Sequence, residues 1–569
     1  MASNPNIRLH FIGFIFTLFA LILIGRLFHI QILLGAKYMA EAEGQYENTG
    51  TRLYDRGTIY FKNKDNVLVS AATLKRGRSL VIDTTLLKDS DSAFRALSNL
   101  LPIDKETFFL RAGKKNDPHE EIMKNIDEKT AEKIEDLHID GVTLPVSQWR
   151  YYPGKSLGSH ALGFVGYNDE GFSGQYGLER YYESTLARDG GGLYKNFFTD
   201  IFSDIGSVIS GEDVRKAGDI VLTIDTTVEN AIEKELEGLE KDFNIKSGGV
   251  IVIRPDTGEI VGMGAVPDFD PNDYGAEKDI SVFTNPLVSN LYEFGSIVKP
   301  LTLAAAIDAG AITEKDTYHD EGYVIIEDAR INNFDKKGRG TVSMQEILNQ
   351  SLNTGAVYVM QKLGRASFRD YMEGFGLGGT TNIDLPGETN GNIENLYTNH
   401  NVEFATASFG QGIAISPIGM TRALATLANG GMLVRPHLVA EFTYNGLPSR
   451  IVRTEEQGKV LKESTTERVA TMLTEVVDTA LLDGKVKLPH HSIAAKTGTA
   501  QIPNNEGGYY SDQFLHAFFG YFPAYDPEFL VFLYIVRPEG ARYASETLTN
   551  PFMNITKFLI NYYEIPPDR

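Results

Sequence analysis

Ser296 and Lys299 stand three residues apart in Glu293-Phe294-Gly295-Ser296-Ile297-Val298-Lys299-Pro300, just before the alanine- and leucine-rich run LTLAAAIDAGA. A serine is a poor nucleophile unless a base stands beside it, and a lysine whose pKa is lowered by burial or by another cation can be that base. Ser-x-x-Lys alone is weak evidence, because chance matches are common in a long chain. Two later groups change its weight. Ser351-Leu352-Asn353 offers a hydroxyl and an amide two residues apart, and Lys496-Thr497-Gly498-Thr499 brings a second cation with a glycine where a substrate backbone could approach closely. Three such groups in this order point to serine acyl transfer. The plainer reading makes Ser351 a helix cap and Lys496 a solvated strand charge.

The elements that must hold these residues can be read around them. Proline is tolerated only near a helix start, so Pro300 places that start close to Ser296, and Gly310 ends the run. The serine hydroxyl then sits at the positive end of the helix dipole, with Lys299 on the same face one turn along. TVSMQEILNQ reads as a helix leading into Ser351, and SIAAKTGTAQI as a strand. Near Asp219, the strand-like IVLTID precedes Thr226 to Phe243, where Val228, Ile232, Leu236 and Leu239 share one helical face. GGVIVIRPDTGEIVGMGAV reads as two strands joined by a turn at Pro255-Asp256-Thr257-Gly258, and HAFFGYFPAYDPEFLVFLYIV as another strand–turn–strand. Phe552, Met553, Ile555, Phe558, Leu559 and Tyr562 outline a closing helix. Residues 217–563 are therefore expected to form an α+β domain, an antiparallel sheet covered by helices. Residues 35–216 mix helical patterns (Lys129–Leu137) with strand-like runs (Ser79–Ile82) and are glycine-dense between Gly154 and Gly192, as expected of a pedestal.

The chain has 569 residues and no cysteine, which excludes thiol nucleophiles, disulfides and thiolate metal sites. With 54 basic against 75 acidic side chains the net charge is −21, the wrong sign for a nucleic-acid binder. Leu9 to Gly25 carries no fixed charge, and Leu27 to Leu34 continues the apolar character beyond Arg26. These 17 residues span about 26 Å at the helical rise, so residues 9–34 are predicted to be a transmembrane anchor behind a short cytoplasmic tail, 1–8. A cleaved signal peptide is the alternative, against which stand the length of the apolar stretch and the lack of an A-x-A site. Everything beyond Leu34 is polar and lies on one side of the membrane, outside in a signal-anchor reading. Gly374-Phe375-Gly376-Leu377-Gly378-Gly379 fits a dinucleotide fingerprint by letters, but its flanks are in the wrong order. Asp268, Asp270 and Asn272 start like a calcium loop that never closes, and His490-His491 lacks ligand partners at helical spacing. Trp149 is taken as packing, and Asn554-Ile555-Thr556 falls inside the closing helix.

The three groups match the set of penicillin-binding proteins and class A β-lactamases. From the anchor to about Phe552 the chain resembles a class B penicillin-binding protein, a membrane-anchored peptidoglycan D,D-transpeptidase. The resemblance includes Arg56-Gly57-Thr58-Ile59, Arg150-Tyr151-Tyr152-Pro153, Gly177-Leu178-Glu179 with Tyr181, and Pro255-Asp256-Thr257-Gly258-Glu259. It extends through Asp268-Phe269-Asp270-Pro271-Asn272, Leu385-Pro386-Gly387-Glu388, and Phe409-Gly410-Gln411-Gly412-Ile413 with Ser416-Pro417. The wording around the sites is closer to division-type than to elongation-type members. Phe294 stands where members commonly have proline, and ASETLTNPF replaces a glycine-rich stretch.

The resemblance implies that Ser296 is the nucleophile and Lys299 its base. Ser351 would relay a proton to the leaving D-alanine nitrogen, and Asn353 would hold the substrate amide and the lysine. Lys496 would supply positive potential, Thr497 and Thr499 would bind the terminal carboxylate, and the Ser296 and Thr499 amides would form the oxyanion hole. It implies no cofactor and no metal. The implied partners are stem peptides, β-lactams, the cytoplasmic membrane, other cell-wall synthesis proteins and a SEDS-family glycan polymerase docked on the pedestal. The competing functions are an elongation-type transpeptidase, a D,D-carboxypeptidase or β-lactamase passing the acyl group to water, and a β-lactam sensor or inactive scaffold.

Overall fold

The computed structural model describes residues 55–188 and 217–569, except 115–116, 169–170, 445–446 and 505–506, together with the isolated positions 14, 18, 19 and 26. Apart from those positions, the predicted tail and anchor lie outside the described residues, as does 189–216 of the pedestal. Among the described residues no helix is long and apolar enough to cross a membrane.

Strand alternation decides where the main sheet sits. Successive side chains of a strand point to opposite faces, so a strand that is apolar throughout must be covered on both. Strands β1 (Ser247–Ile253), β2 (Ile260–Val266), β3 (Ala494–Pro503), β4 (Tyr509–Phe522) and β5 (Phe529–Val536) form an antiparallel sheet in the order β2–β1–β5–β4–β3. In β5, Val531, Leu533 and Ile535 join one core while Leu530, Phe532 and Tyr534 join the other. The helices needed below are α1 (Thr226–Phe243), α2 (Lys299–Asp308), α3 (Met344–Asn349), α4 (Asn353–Leu363) and α5 (Thr549–Tyr562). Helices α1 and α5 cover one face, with Val228, Ile232, Leu236, Phe552 and Leu559 against Val250, Val252 and Phe518. The other face packs against the helical region around α2, every residue of which is buried. A helix buried all round has to be central, and α4 and the helix Glu463–Glu475 pack on it. The expected antiparallel sheet with helical cover is therefore present, and β3, with its Lys496–Thr499 segment, is an edge strand.

One expected element splits. Of TVSMQEILNQ only Met344–Asn349 is helical. Gly340–Ser343 pairs instead with Thr317–Asp320, because adjacent Thr341 and Val342 suit a strand and an upstream partner is available.

Two compact units interleave along the chain. Leu74–Trp149, with 55–56 and 187–188, belongs to one; Gly57–Thr73, Arg150–Leu186 and Ala217–Arg569 form the other. The limits read from the sequence, 35–216 and 217–563, follow the chain instead. In the first unit, helices Ser90–Ser98, Lys105–Ala112 and Glu128–Glu135 are capped by Asp89, Asp104 and Asp127, and close over Leu80, Leu97, Phe108 and Ile134. Trp149 packs there on Gly77, where a Cβ would stand 2.7 Å from the indole ring.

In the second unit the strand Ile59–Lys62 runs parallel beside Gly218–Leu222. Arg150 is buried there, donating to Glu179 Oε1 at 2.6 Å and to Gly57 O at 2.7 Å. Tyr152 donates to the same carboxylate at 3.2 Å, and Asn272 clamps the Tyr152 backbone through its N–H and its C=O, each at 2.9 Å. Segments far apart in the chain are thus tied into one unit by the motifs that carried the resemblance. Asp270 and Asn272, which begin like a calcium loop, serve as a clamp on Tyr152.

Candidate active site

Pro300 lies in the first turn of α2, and Gly295–Val298 forms the 3-10 turn that leads into it. Gly295 adopts φ +61°, and its amide donates to Gly410 O at 3.1 Å. A Cβ on Gly295 would stand 2.9 Å from Thr499 O, so edge strand β3 lies directly against the turn that carries Ser296. From the strand side, a Cβ on Gly498 would stand 2.6 Å from Phe294 O. Within a strand the N–H and C=O of one residue point the same way. Since the Thr499 carbonyl faces Gly295, the Thr499 amide also faces the turn that carries Ser296, which is half-buried.

Lys299 is fully buried at the start of α2. Its Nζ donates to Ser351 O at 2.6 Å, Ser351 Oγ at 3.2 Å and Asn353 Oδ1 at 2.8 Å. Lys496 Nζ, also buried, donates to Ser351 Oγ at 3.2 Å and to Thr497 O at 2.8 Å. Among the described residues every partner of these two lysines is a neutral oxygen. Burial, and then the Lys496 cation, hold the Lys299 pKa well below its ordinary value, and burial pushes Lys496 down to about 7. Lowering a lysine's pKa makes its free amine, the form that can take a proton, more accessible.

Ser351 links the two lysines. It sits at φ +53°, a conformation few non-glycine residues adopt, and this turn between α3 and α4 brings Oγ within 3.2 Å of both Nζ atoms. With both lysines donating to it, the hydroxyl keeps its own proton for donation into the cleft. Asn353 donates Nδ2 to Asn332 O at 3.0 Å, so its Oδ1 faces Lys299.

The residues picked out by type and spacing thus converge: Ser296 beside β3, Lys299 and Lys496 on one serine, and Asn353 on Lys299. Thr497 and Thr499 share one face of β3. The Thr499 hydroxyl has a further role, accepting from the Ala544 amide at 3.0 Å at the start of the helix Ala544–Thr547. That helix is built by the stretch that replaces the glycine-rich one. Phe294 is buried with its ring edge-on to Phe532 at 5.3 Å, so the side chain fills the core while the carbonyl faces Gly498.

Other residues around the site carry no local sequence signal. Tyr509, at the start of β4, donates to Glu293 Oε2 at 2.9 Å and the Gly412 amide bonds the same carboxylate, while burial pushes the Glu293 pKa up. Asp320, Asn333 and Thr354 form a buried polar group behind Asn353. Their partners are distant in the chain, so only the fold reveals them. His491 bonds Ile565 O from a loop, as an ordinary packing histidine does.

A serine at the start of a buried helix, a depressed lysine one turn on, and an edge strand aiming an amide at the same turn together define a serine acyl-transfer centre. Residues 248–557 match the family model of the penicillin-binding protein transpeptidase domain, and residues 53–195 that of the penicillin-binding protein dimerisation domain. The chain belongs to the penicillin-binding protein transpeptidase family. It is 29% identical to stage V sporulation protein D of Bacillus subtilis, over 97% of this chain and 85% of that one. It is also 29% identical to a peptidoglycan D,D-transpeptidase FtsI homolog of Mesostigma viride, over 96% and 94%. The fold is similar to penicillin-binding protein 2X of Streptococcus thermophilus, with a TM-score of 0.69 at 21% identity over 90% of this chain and 80% of that one. Penicillin-binding protein 3 of Mycobacterium tuberculosis, in complex with aztreonam, superposes with a TM-score of 0.69 at 20% identity, over 91% and 98%.

Proposed function

We propose that this chain is a peptidoglycan D,D-transpeptidase that cross-links stem peptides through an acyl-serine. Ser296 Oγ attacks the carbonyl between the two terminal D-alanines, and Lys299 takes its proton. The oxyanion forms against the Ser296 and Thr499 amides. As the C–N bond breaks, Ser351 donates a proton to the departing D-alanine amine and is reprotonated through the lysines. An amine of a second stem peptide then attacks the ester, its proton returns by the same route, and the new amide is the cross-link. A β-lactam acylates the same serine. Thr497 and Thr499, beside Lys496, receive the terminal carboxylate.

The observation that carries this reading is the placement of Lys299, buried one turn from Ser296, bonded to Ser351 and Asn353 and, among the described residues, without a counterion. The names of the relatives support the same reaction, and the wording of the motifs supports a division role in septal wall synthesis. The apolar stretch 9–34 supports a single-pass anchor in the cytoplasmic membrane, with residues 1–8 inside and the catalytic unit outside. In this reading the pedestal receives a SEDS-family glycan polymerase.

The test is covalent labelling of the full chain by a fluorescent penicillin. Wild type is expected to label stoichiometrically and release the label slowly, and Ser296→Ala to remain unlabelled. An unlabelled wild type, or equal labelling of Ser296→Ala, refutes the mechanism; rapid release favours hydrolysis over transpeptidation.

A further inference from the structure

Behind the Ser351–Asn353 turn lies a buried polar knot that no step of the acylation uses. Asp320 ends the strand Thr317–Asp320 and is fully buried. Its Oδ1 accepts from the Gly322 amide at 2.9 Å and from Thr354 Oγ1 at 2.7 Å, and its Oδ2 from the Arg339 amide at 3.1 Å. Asn333 Nδ2 lies 3.0 Å from both oxygens. A carboxylate accepts and does not donate, so Asp320 dictates which end of the Asn333 amide faces it. Asn333 Oδ1 is thereby turned to the Thr354 amide at 3.2 Å and to Thr354 Oγ1 at 3.1 Å.

Asn333 and Thr354 are the chain neighbours of the two residues that set the catalytic amide. Asn332 O receives Asn353 Nδ2 at 3.0 Å, which leaves Asn353 Oδ1 on Lys299 Nζ at 2.8 Å. Were the Asn332 carbonyl displaced, the Asn353 side chain could rotate and present N–H groups to a lysine that itself donates. A donor facing a donor at the buried Lys299 is unfavourable.

We infer that Asp320 is a positioning residue for the reaction. Through Asn333 it fixes the Asn332 carbonyl and the Thr354 amide, and so fixes the end of Asn353 that meets Lys299. The inference rests on reading Ser296 and Lys299 as the acylating pair.

The experiment resolves acylation of the full chain by a chromogenic β-lactam into a binding constant and an acylation rate constant, with thermal melting to verify folding. Asp320→Ala and Asn333→Ala are each expected to lower the acylation rate constant about a hundredfold, the scale set by misplacing a catalytic group by an ångström, with binding altered at most about threefold. Asn333→Ala combined with Asn353→Ala should acylate no more slowly than Asn353→Ala alone, because both act through one amide. A folded Asn333→Ala protein with a wild-type acylation rate constant, a loss confined to binding, or additive losses in the double variant overturns the inference. If Asp320→Ala does not fold, Asn333→Ala alone decides. Acylation of Ser296→Ala at the wild-type rate instead sinks the underlying reading, independently of these variants.

Discussion

Two buried charged constellations in the same unit are built on opposite principles. Arg150 and Glu179 are both fully buried, and each charge meets its opposite at 2.6 Å with further bonds to Gly57 O and Tyr152. Lys299 and Lys496 are also buried, yet among the described residues their hydrogen-bond partners are neutral oxygens, and Lys299 feels the Lys496 cation besides. Where charges are paired, burial holds segments together. Where lysines are buried without a carboxylate beside them, burial, and at Lys299 then the Lys496 cation, lowers the pKa and makes the free amine that the proposed mechanism needs more accessible. The first arrangement stabilises the fold, and the second makes it reactive.

The contrast can be broken most severely at its catalytic end. Lys299→Ala is expected to slow acylation on the order of 10³-fold, the usual contribution of a positioned general base, while disturbing the melting midpoint less than the next variant does. Stopped-flow acylation and thermal melting of the same preparation measure both. At the structural end, Arg150→Met removes the guanidinium bonded to the buried Glu179 carboxylate and should cost about 3–5 kcal/mol of stability in denaturant titrations, with the acylation rate of the folded protein unchanged. Adding Glu179→Leu should recover much of that loss, because a packed apolar pair replaces a buried ion pair at little cost.

The smallest effect is a pH dependence. The folded value of Lys496, about 7, lies below its ordinary 10.5. Between those values the unfolded chain binds more protons, so the unfolding free energy rises with pH through that window. Lys496→Met removes that share of the rise. It also removes the cation that helps to depress Lys299, so the ascending limb of the acylation pH profile should move to higher pH. A melting slope and an acylation limb both unchanged in Lys496→Met would mean that the two lysines are not electrically coupled.

Much of this was visible in the chain before folding. Pro300 announced the start of α2, the period-3.6 face of Thr226–Phe243 announced α1, and the apolar runs around Pro255 and Pro523 announced four strands of the sheet. Each rests on local rules of sterics and periodicity. Thr341–Ser343 departs from the expected helix because its pairing with Thr317–His319 is non-local. Asp320, Asn333, Glu293 and Tyr509 bore no mark for the same reason: a polar residue's role is set by what the fold brings to it.

The sequence by itself determined the chemistry available: a serine, two lysines and an amide in a recognisable order, with glycines where backbones must approach. Tertiary structure alone decided that Ser351 stands between two buried lysines, that Thr499 both borders the nucleophile turn and caps a helix, and that Asn353 presents its oxygen to Lys299. Side-chain types and local conformation are encoded residue by residue. Burial, and the pKa shifts and hydrogen-bond orientation that follow from it, belong to the packed whole.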